Sequence, residues 1–536
     1  MVTEAASAYQ KRTALSGIPQ RFRRQLTRTM QGEPPMTMLD SRPAERPLEV
    51  TAAKDRRWLV LAVVGIAQLM IILDASIVNI ALPHAQVALH ISNADRQWAL
   101  TAYTLTFGGL LLLGGRVADY FGRKRTFLIA LLGFAAASAF GGAAQSGSWL
   151  FAARAIQGVF AALLAPAVLS LITTTFTEAH ERAKAFAVYG AISGTGGALG
   201  LIAGGALTQY LSWRWTLLVN TPIAIAVFAA SLFLVKESRA TGDRHLDVPG
   251  AIVATGGLAL LVYGFTEASL HGWSAPLTVG MLVAAGVLLA GFAWWETRAR
   301  NPMLPLRIVL DRNRGASYLA FFFATLALFG TFLFLTYYFQ DVLGYSALKA
   351  GVAFLPFPLG VITSSTIASR TLPRFGPRVL ATVGFGAATV GMLWLTQLPA
   401  HSSYGLHVVP AMLLISLGMG HVFVPLSSTA LLGVPNHDAG AASALVNTMQ
   451  QVGGSLGVAF LNTIATSATA SYAAAHGGLT AAAEVHGFTH AWAFSVGILL
   501  LAVITVASLV QSPKRGGGDG GGERALDIEP ELVPVG

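Results

Sequence analysis

The run "LMIILDASIVNIALP" (Leu69–Pro83) carries one carboxylate, Asp74, among strongly apolar residues. An ionised acid is costly away from water. Desolvation raises a carboxyl pKa and a nearby cation lowers it. An acid balanced between those effects can take up and release a proton, or meet a cationic substrate. The plainer alternative is a structural acid hydrogen-bonded to a neighbouring helix. Polar Asn79 follows five residues on, and Gln68 and Ser76 are close in sequence. A second anomaly is Arg154 in "ARAIQGVFAALLAPA". A cation within an apolar run faces an interior with a partner, or snorkels to the nearer interface. Gln157 lies one helical turn beyond it, on the same face. Asp74, Arg154, Gln157 and Asn79 are therefore the candidates for proton or substrate coupling.

Other chemistries find little support. No Gly-x-x-x-x-Gly-Lys-Ser/Thr sequence suggests ATP as an energy source, and no metal-ligand cluster or nucleophile–base motif is present. The chain has no cysteine, which rules out disulfides and thiolate metal sites. An enzyme is not expected, nor a cofactor or bound metal; a proton gradient is the expected energy source. His421, in "SLGMGHVFVPLSS", reads first as a neutral core histidine and second as a proton carrier. Tyr337, Tyr338 and Gln340 are candidates for lining the external end of a cavity. Glu267, Glu296 and Asp341 fall at the ends of apolar runs, within reach of water.

The elements that hold these residues are membrane spans. Of 536 residues, 54% are hydrophobic and 11% charged, far below the roughly 25% charged of a soluble domain. A spanning helix needs about 20 mostly apolar residues. Fourteen such segments are predicted: six within 58–236, two within 247–296 and six within 314–510. Residues 1–57 read as a disordered Arg-rich tail, with Arg21, Arg23, Arg24 and Arg28 clustered and no apolar signal-peptide core. Met1, Met36 and Met38 are alternative starts. Residues 511–536 read as a Gly-rich tail with an acidic end.

Charge placement sets the orientation. All but four of the 35 lysines and arginines lie in the two tails and the even-numbered loops; the exceptions are Arg96, Arg154, Arg214 and Lys349. Positive residues collect on the cytoplasmic side, so both termini are expected there, in a multi-pass protein of the inner membrane. The net charge of +10 is thereby a topology signal spread over short loops, and nucleic acid is not an expected partner.

An internal repeat is visible. "YFGRKR" (Tyr120–Arg125) and "RFGPRV" (Arg374–Val379) both place Phe-Gly and basic residues in a short turn between two spans. Two six-span halves are a common layout of secondary transporters.

At this point the chain resembles a known family. "GRVADYFGRKR" is similar to the loop signature of the major facilitator superfamily, Gly-x-Leu-Ala-Asp-Arg-x-Gly-Arg-Lys. Gly115, Asp119, Gly122, Arg123 and Lys124 match, while Val117 and Tyr120 depart from it. "LDASIVNIALP", "ARAIQGVFAALLAPA", "WRWTLLVNTPIAI" and "YYFQDVLGYSALKAGVAFLP" resemble segments of its fourteen-span drug:proton antiporter branch, over roughly residues 55–512. The resemblance implies an all-α membrane fold of two six-helix bundles with two inserted central helices. It implies export of an amphiphilic or cationic compound in exchange for protons by alternating access. It also implies that the Gly115–Arg125 loop latches the two halves, and that Arg154 takes part in proton transfer. The fifth span, "GAISGTGGALGLIAGGAL", carries Gly196, Gly200, Gly204 and Gly205 of the branch's antiporter motif. Small residues at this spacing let helices pack closely. Leu201 stands where that motif has proline. An uptake symporter of the same fold and a transporter-like membrane sensor or scaffold stay open as alternatives. The expected partners are a small-molecule substrate, protons and the lipid bilayer, and the expected state is a monomer.

Overall fold

The computed structural model describes residues 48–238, 247–299, 302, 306–400, 402–434 and 439–511. Helices follow the apolar segments. The first six predicted spans become α1 (Leu48–Ala88), α2 (Trp98–Phe121), α3 (Arg123–Gly142), α4 (Gly147–Thr175) and α5 (Ala179–Tyr210), then the short α6 (Trp215–Leu218) continued by α7 (Asn220–Leu234). The inserted pair is α8 (Val248–His271) and α9 (Pro276–Glu296). The last six spans follow the short α10 (Leu306–Val309). They are held by α11 (Arg312–Tyr337), by α12 (Ala347–Ala353) with the part of α13 (Pro356–Leu395) before Gly376, by the part of α13 after it, and by α14 (Val409–Leu431), α15 (Ala439–His476) and α16 (Ala481–Leu509).

Ten helical stretches among the described residues are by themselves long and apolar enough to cross a membrane. One of them, Ala347–Leu395, carries two predicted spans, because α13 breaks at Gly376. Helices α2, α5 and α15 occupy the remaining three, so every one of the fourteen predicted spans holds a helix. The starts follow local chemistry. Ser146, Asp247, Asp311, Ser346 and Thr480 each accept a bond from a backbone N–H in the first turn of α4, α8, α11, α12 and α16, satisfying amides that have no partner within the helix.

The sequence repeat has a structural counterpart. Gly122 separates α2 from α3 with φ 109°, and Gly376 breaks α13 with φ 76°. Left-handed backbone of this kind favours glycine. Both Phe-Gly turns therefore reverse the chain by the same device, once in each half.

The described residues from Arg56 onward form one compact unit. One apolar core lies within the first six-helix bundle, drawing Val64, Met70, Phe127, Phe134, Leu164, Val168 and Val227 together. A larger core fills the second bundle but also takes in Ile77, Ile80 and Leu82 from the end of α1 and Leu89 just beyond it. The bundles are thus joined around the end of α1, away from the Gly122 turn. They also meet where α2 packs on α15 and α5 on α12. Inserted α8 packs against both α2 and α15, with Thr463 donating to the Phe265 carbonyl at 2.9 Å. Helix α9 leans mainly on α8 and is otherwise little buried, leaving Val279, Val283 and Val287 facing outward as lipid contact requires.

Candidate functional site

Helices α1, α3, α4 and α7 converge on Asp74, which is fully buried. Arg154, on α4, donates from Nη1 to Asp74 Oδ2 at 2.6 Å. Gln157, one turn further along α4, donates to Asp74 Oδ1 at 3.1 Å. Asn220, at the start of α7, donates to the same Oδ1 at 2.8 Å. All three partners are donors, which suits a carboxylate acting only as acceptor.

The arginine is held as tightly. Its Nε donates to the Ala99 carbonyl at 3.0 Å, and Nη1 also reaches Gln157 Oε1 at 2.9 Å. The guanidinium lies 4.3 Å from the centre of the Tyr103 ring, within cation–π range. Gln157 donates in addition to Ser138 on α3 at 2.7 Å. Arg154, Gln157 and Ser138 are fully buried and Asn220 is 1% exposed. Removing two charges from water costs several kcal/mol per ion, which only close pairing and full hydrogen bonding repay. That is the arrangement seen, and it removes the snorkelling alternative for Arg154.

The structure therefore brings together three of the four coupling candidates. The fourth, Asn79, stays apart: it is buried, and its Oδ1 has no hydrogen-bond partner. Five residues along a helix is about 500° of rotation, which turns Asn79 off the Asp74 face. Sequence reasoning had not singled out Asn220, Ser138 or Tyr103. Their signal was weak, because each is an uncharged polar side chain of a common type. Only Asn220 stood inside a quoted motif.

The glycine stripe of α5 lies directly against α1. A Cβ at Gly196 would meet Ile72 at 2.9 Å, one at Gly200 would meet Ser76 Oγ at 1.9 Å, and one at Gly204 the Ile77 carbonyl at 2.7 Å. These contacts flank Asp74 and seat α5 against the helix that bears it. Gly205 faces the other bundle, where a Cβ would fall 2.6 Å from the Ala347 carbonyl. Leu201, in the proline position, is buried and turns its carbonyl toward Gly351, across the same boundary.

The resemblance implies a latch between halves at the Gly122 turn; the bonds described there join parts of the first bundle. Glu237, beyond α7, accepts from the backbone N–H of Lys124 at 3.1 Å and of Arg125 at 3.2 Å. The Arg123 N–H reaches the Ser238 carbonyl, and Lys124 Nζ the Leu232 carbonyl at 2.7 Å. Unpaired amides at the start of α3 draw a carboxylate, and the helix dipole reinforces it. The Asp119 side chain lies outside the described residues. Close approach to α4 falls mainly to Gly114, whose Cβ would sit 1.9 Å from the Ala162 carbonyl; at Gly115 the nearest atom is 3.7 Å away.

The remaining candidates divide. Tyr337 lines a cavity of about 540 Å³. Tyr338 does not; its ring is fully buried and its hydroxyl bonds the Pro399 carbonyl and Ser402. Gln340 donates to the Ile80 carbonyl at 2.9 Å, and His421 bonds the Leu417 carbonyl of its own helix at 2.9 Å. Glu267 and Glu296, expected near water, are 6% and 4% exposed. Packing of α8 and α9 covers what hydropathy placed at span ends.

Ten helical stretches long and apolar enough to cross a membrane, with an ion pair sealed inside the first bundle, define a polytopic membrane protein of the transporter type. The profile of the Major Facilitator Superfamily matches residues 64–458, and the chain belongs to that superfamily. It is 51% identical over 463 residues to "Puromycin resistance protein pur8" of Streptomyces alboniger, covering 85% of this chain and 92% of that one. It is 39% identical to "Cephamycin export protein CmcT" of Amycolatopsis lactamdurans, covering 75% and 84% respectively. Among solved structures, an auto-inhibited peptide transporter of the POT family shares the fold with a TM-score of 0.63 at 18% identity, over 86% of this chain and 99% of that one.

Proposed function

We propose that this protein exports an amphiphilic or cationic antibiotic-like compound across the cytoplasmic membrane in exchange for protons, by alternating access. The functions its relatives are named for, puromycin resistance and cephamycin export, support export over uptake. The charge asymmetry of the loops supports a membrane orientation with both termini cytoplasmic. The Arg96 end of the bundles is then external and the Gly122 end cytoplasmic. Neither ATP nor a cofactor is invoked; the proton gradient supplies the energy.

The observation that carries the reading is the buried Asp74–Arg154 pair. An ionised Asp74 balances Arg154. A proton on Asp74 cancels that balance, loosens the pair and frees Arg154, Gln157 and Asn220 to rearrange. Proton binding and substrate binding then exclude each other if the substrate needs the arrangement that the ionised acid holds. Such a difference in affinity between two states is what lets one gradient drive another flux.

The test uses everted vesicles from a host without its own pumps. Puromycin, a cephamycin and a lincosamide form the first panel. Acidifying the vesicle lumen should drive uptake of at least one of them, and Asp74→Asn should abolish it. Unchanged pH-driven transport in that variant would refute the coupling role. Accumulation only in right-side-out vesicles, under an inward proton gradient, would establish an uptake symporter instead.

A further inference from the structure

The two bundles meet around Arg96, in the turn before α2. Arg96 belongs to the first bundle and is 5% exposed. Its contacts belong to the second. The guanidinium lies 4.0 Å from the centre of the Tyr337 ring at the end of α11. Its Nε donates to Asn462 Oδ1 on α15 at 3.1 Å. Asn462 in turn donates to the Asn93 and Ala94 carbonyls, at 3.1 and 3.3 Å, which holds the turn that carries Arg96. Tyr337 donates its hydroxyl to Gln86 on α1. Each of these four bonds crosses from one bundle to the other, while Gln86 also donates to Asn93 Oδ1 at 2.6 Å within the first bundle.

We propose that Arg96, clamped between the Tyr337 ring and Asn462, is the latch that keeps the two bundles shut at this end. Three features set it apart from ordinary packing. First, it is a cation whose partners are a ring face and a neutral amide, both replaceable by water at modest cost. The Asp74–Arg154 pair has no such freedom. Second, Arg96 and Tyr337 border the 540 Å³ cavity, so solvent has a place from which to enter. Third, Asp341 and Glu484 line the same cavity and both feel the charge of Arg96. They give the released guanidinium an alternative site in the vestibule. The latch rests on the alternating-access reading and deepens it by naming the residues of one gate.

The native chain has no cysteine, so introduced labels meet no background. Gln209 and Leu348 face each other across the same boundary, the Leu348 N–H donating to Gln209 Oε1 at 3.2 Å. Spin labels on Gln209→Cys/Leu348→Cys, with Arg96 intact, should report mainly a short distance by pulsed electron resonance in detergent. Arg96→Ala should raise the ratio of long to short distances by about fivefold. Tyr337→Leu should act in the same direction. Arg96→Lys retains the charge and loses the planar fork, and should give a smaller shift of the same sign; it serves where Arg96→Ala yields no monodisperse protein. An unmoved distance in Arg96→Ala, or in Arg96→Lys in its place, overturns the latch. This readout needs no transport. A moved distance in a protein that transports none of the probe compounds upholds the latch and counts against the exporter reading. Intact transport with an unmoved distance does the reverse.

Discussion

Arg154 Nη1 stands 2.6 Å from Asp74 Oδ2, and neither residue reaches the surface. The two lie 80 residues apart in sequence, on α4 and α1. Each explains the other: the acid makes a buried guanidinium tolerable, and the guanidinium does the same for the acid.

Removing one member strands the other. Arg154→Ala should destabilise the protein by about 3–5 kcal/mol, seen as a lower melting temperature in detergent. The double variant Asp74→Asn/Arg154→Gln leaves no uncompensated charge and should melt well above Arg154→Ala. Equal melting of the two would mean that the pair contributes no charge compensation.

Asn220 donates to the same carboxylate at 2.8 Å. Asn220→Ala removes one hydrogen bond to a charged group, a loss of about 1.5–3 kcal/mol. The melting temperature in detergent should fall, and transport with it. Melting and transport both equal to wild type would remove Asn220 from the site.

The α5 stripe predicts a contrast between two glycines three residues apart. A Cβ at Gly200 would fall 1.9 Å from Ser76 Oγ, whereas one at Gly197 would meet nothing within 4 Å. Gly200→Ala should force α5 off α1, costing about 1–3 kcal/mol as overpacking does, with loss of transport. Gly197→Ala should be neutral. Thermal melting and vesicle transport check both, and similar behaviour of the two variants would dismiss the close-packing account.

Glu237 acts as a cap supplied from a distant part of the chain. Glu237→Ala should cost about 0.5–2 kcal/mol, as loss of a helix cap does. Amide exchange at Lys124 and Arg125 should accelerate, since their N–H groups lose their acceptor. Exchange unchanged at these two amides would remove Glu237 from that role.

Much of this protein is legible along the chain. A span needs only a sufficient run of apolar side chains, a property of consecutive residues, and each predicted span holds a helix. The two Phe-Gly turns were visible as a repeat because only glycine readily takes the positive φ found at Gly122 and Gly376. Asp74 and Arg154 stood out because ionisable groups are rare in apolar runs. Glu267 and Glu296 misled, since hydropathy gives depth along a span but not what packs beside its end.

Sequence by itself settled the all-helical membrane class, the repeat, the superfamily motifs and the isolated charges, all of which are local in origin. Tertiary structure alone decided the partners. It joined Asp74 to Arg154, Gln157 and Asn220 and left Asn79 aside. It gave the amides of α3 to Glu237 and set Arg96 between Tyr337 and Asn462. Which side chains meet depends on the rotation and tilt of helices packed against one another, and these follow from close contact over the whole bundle rather than from any one stretch of residues.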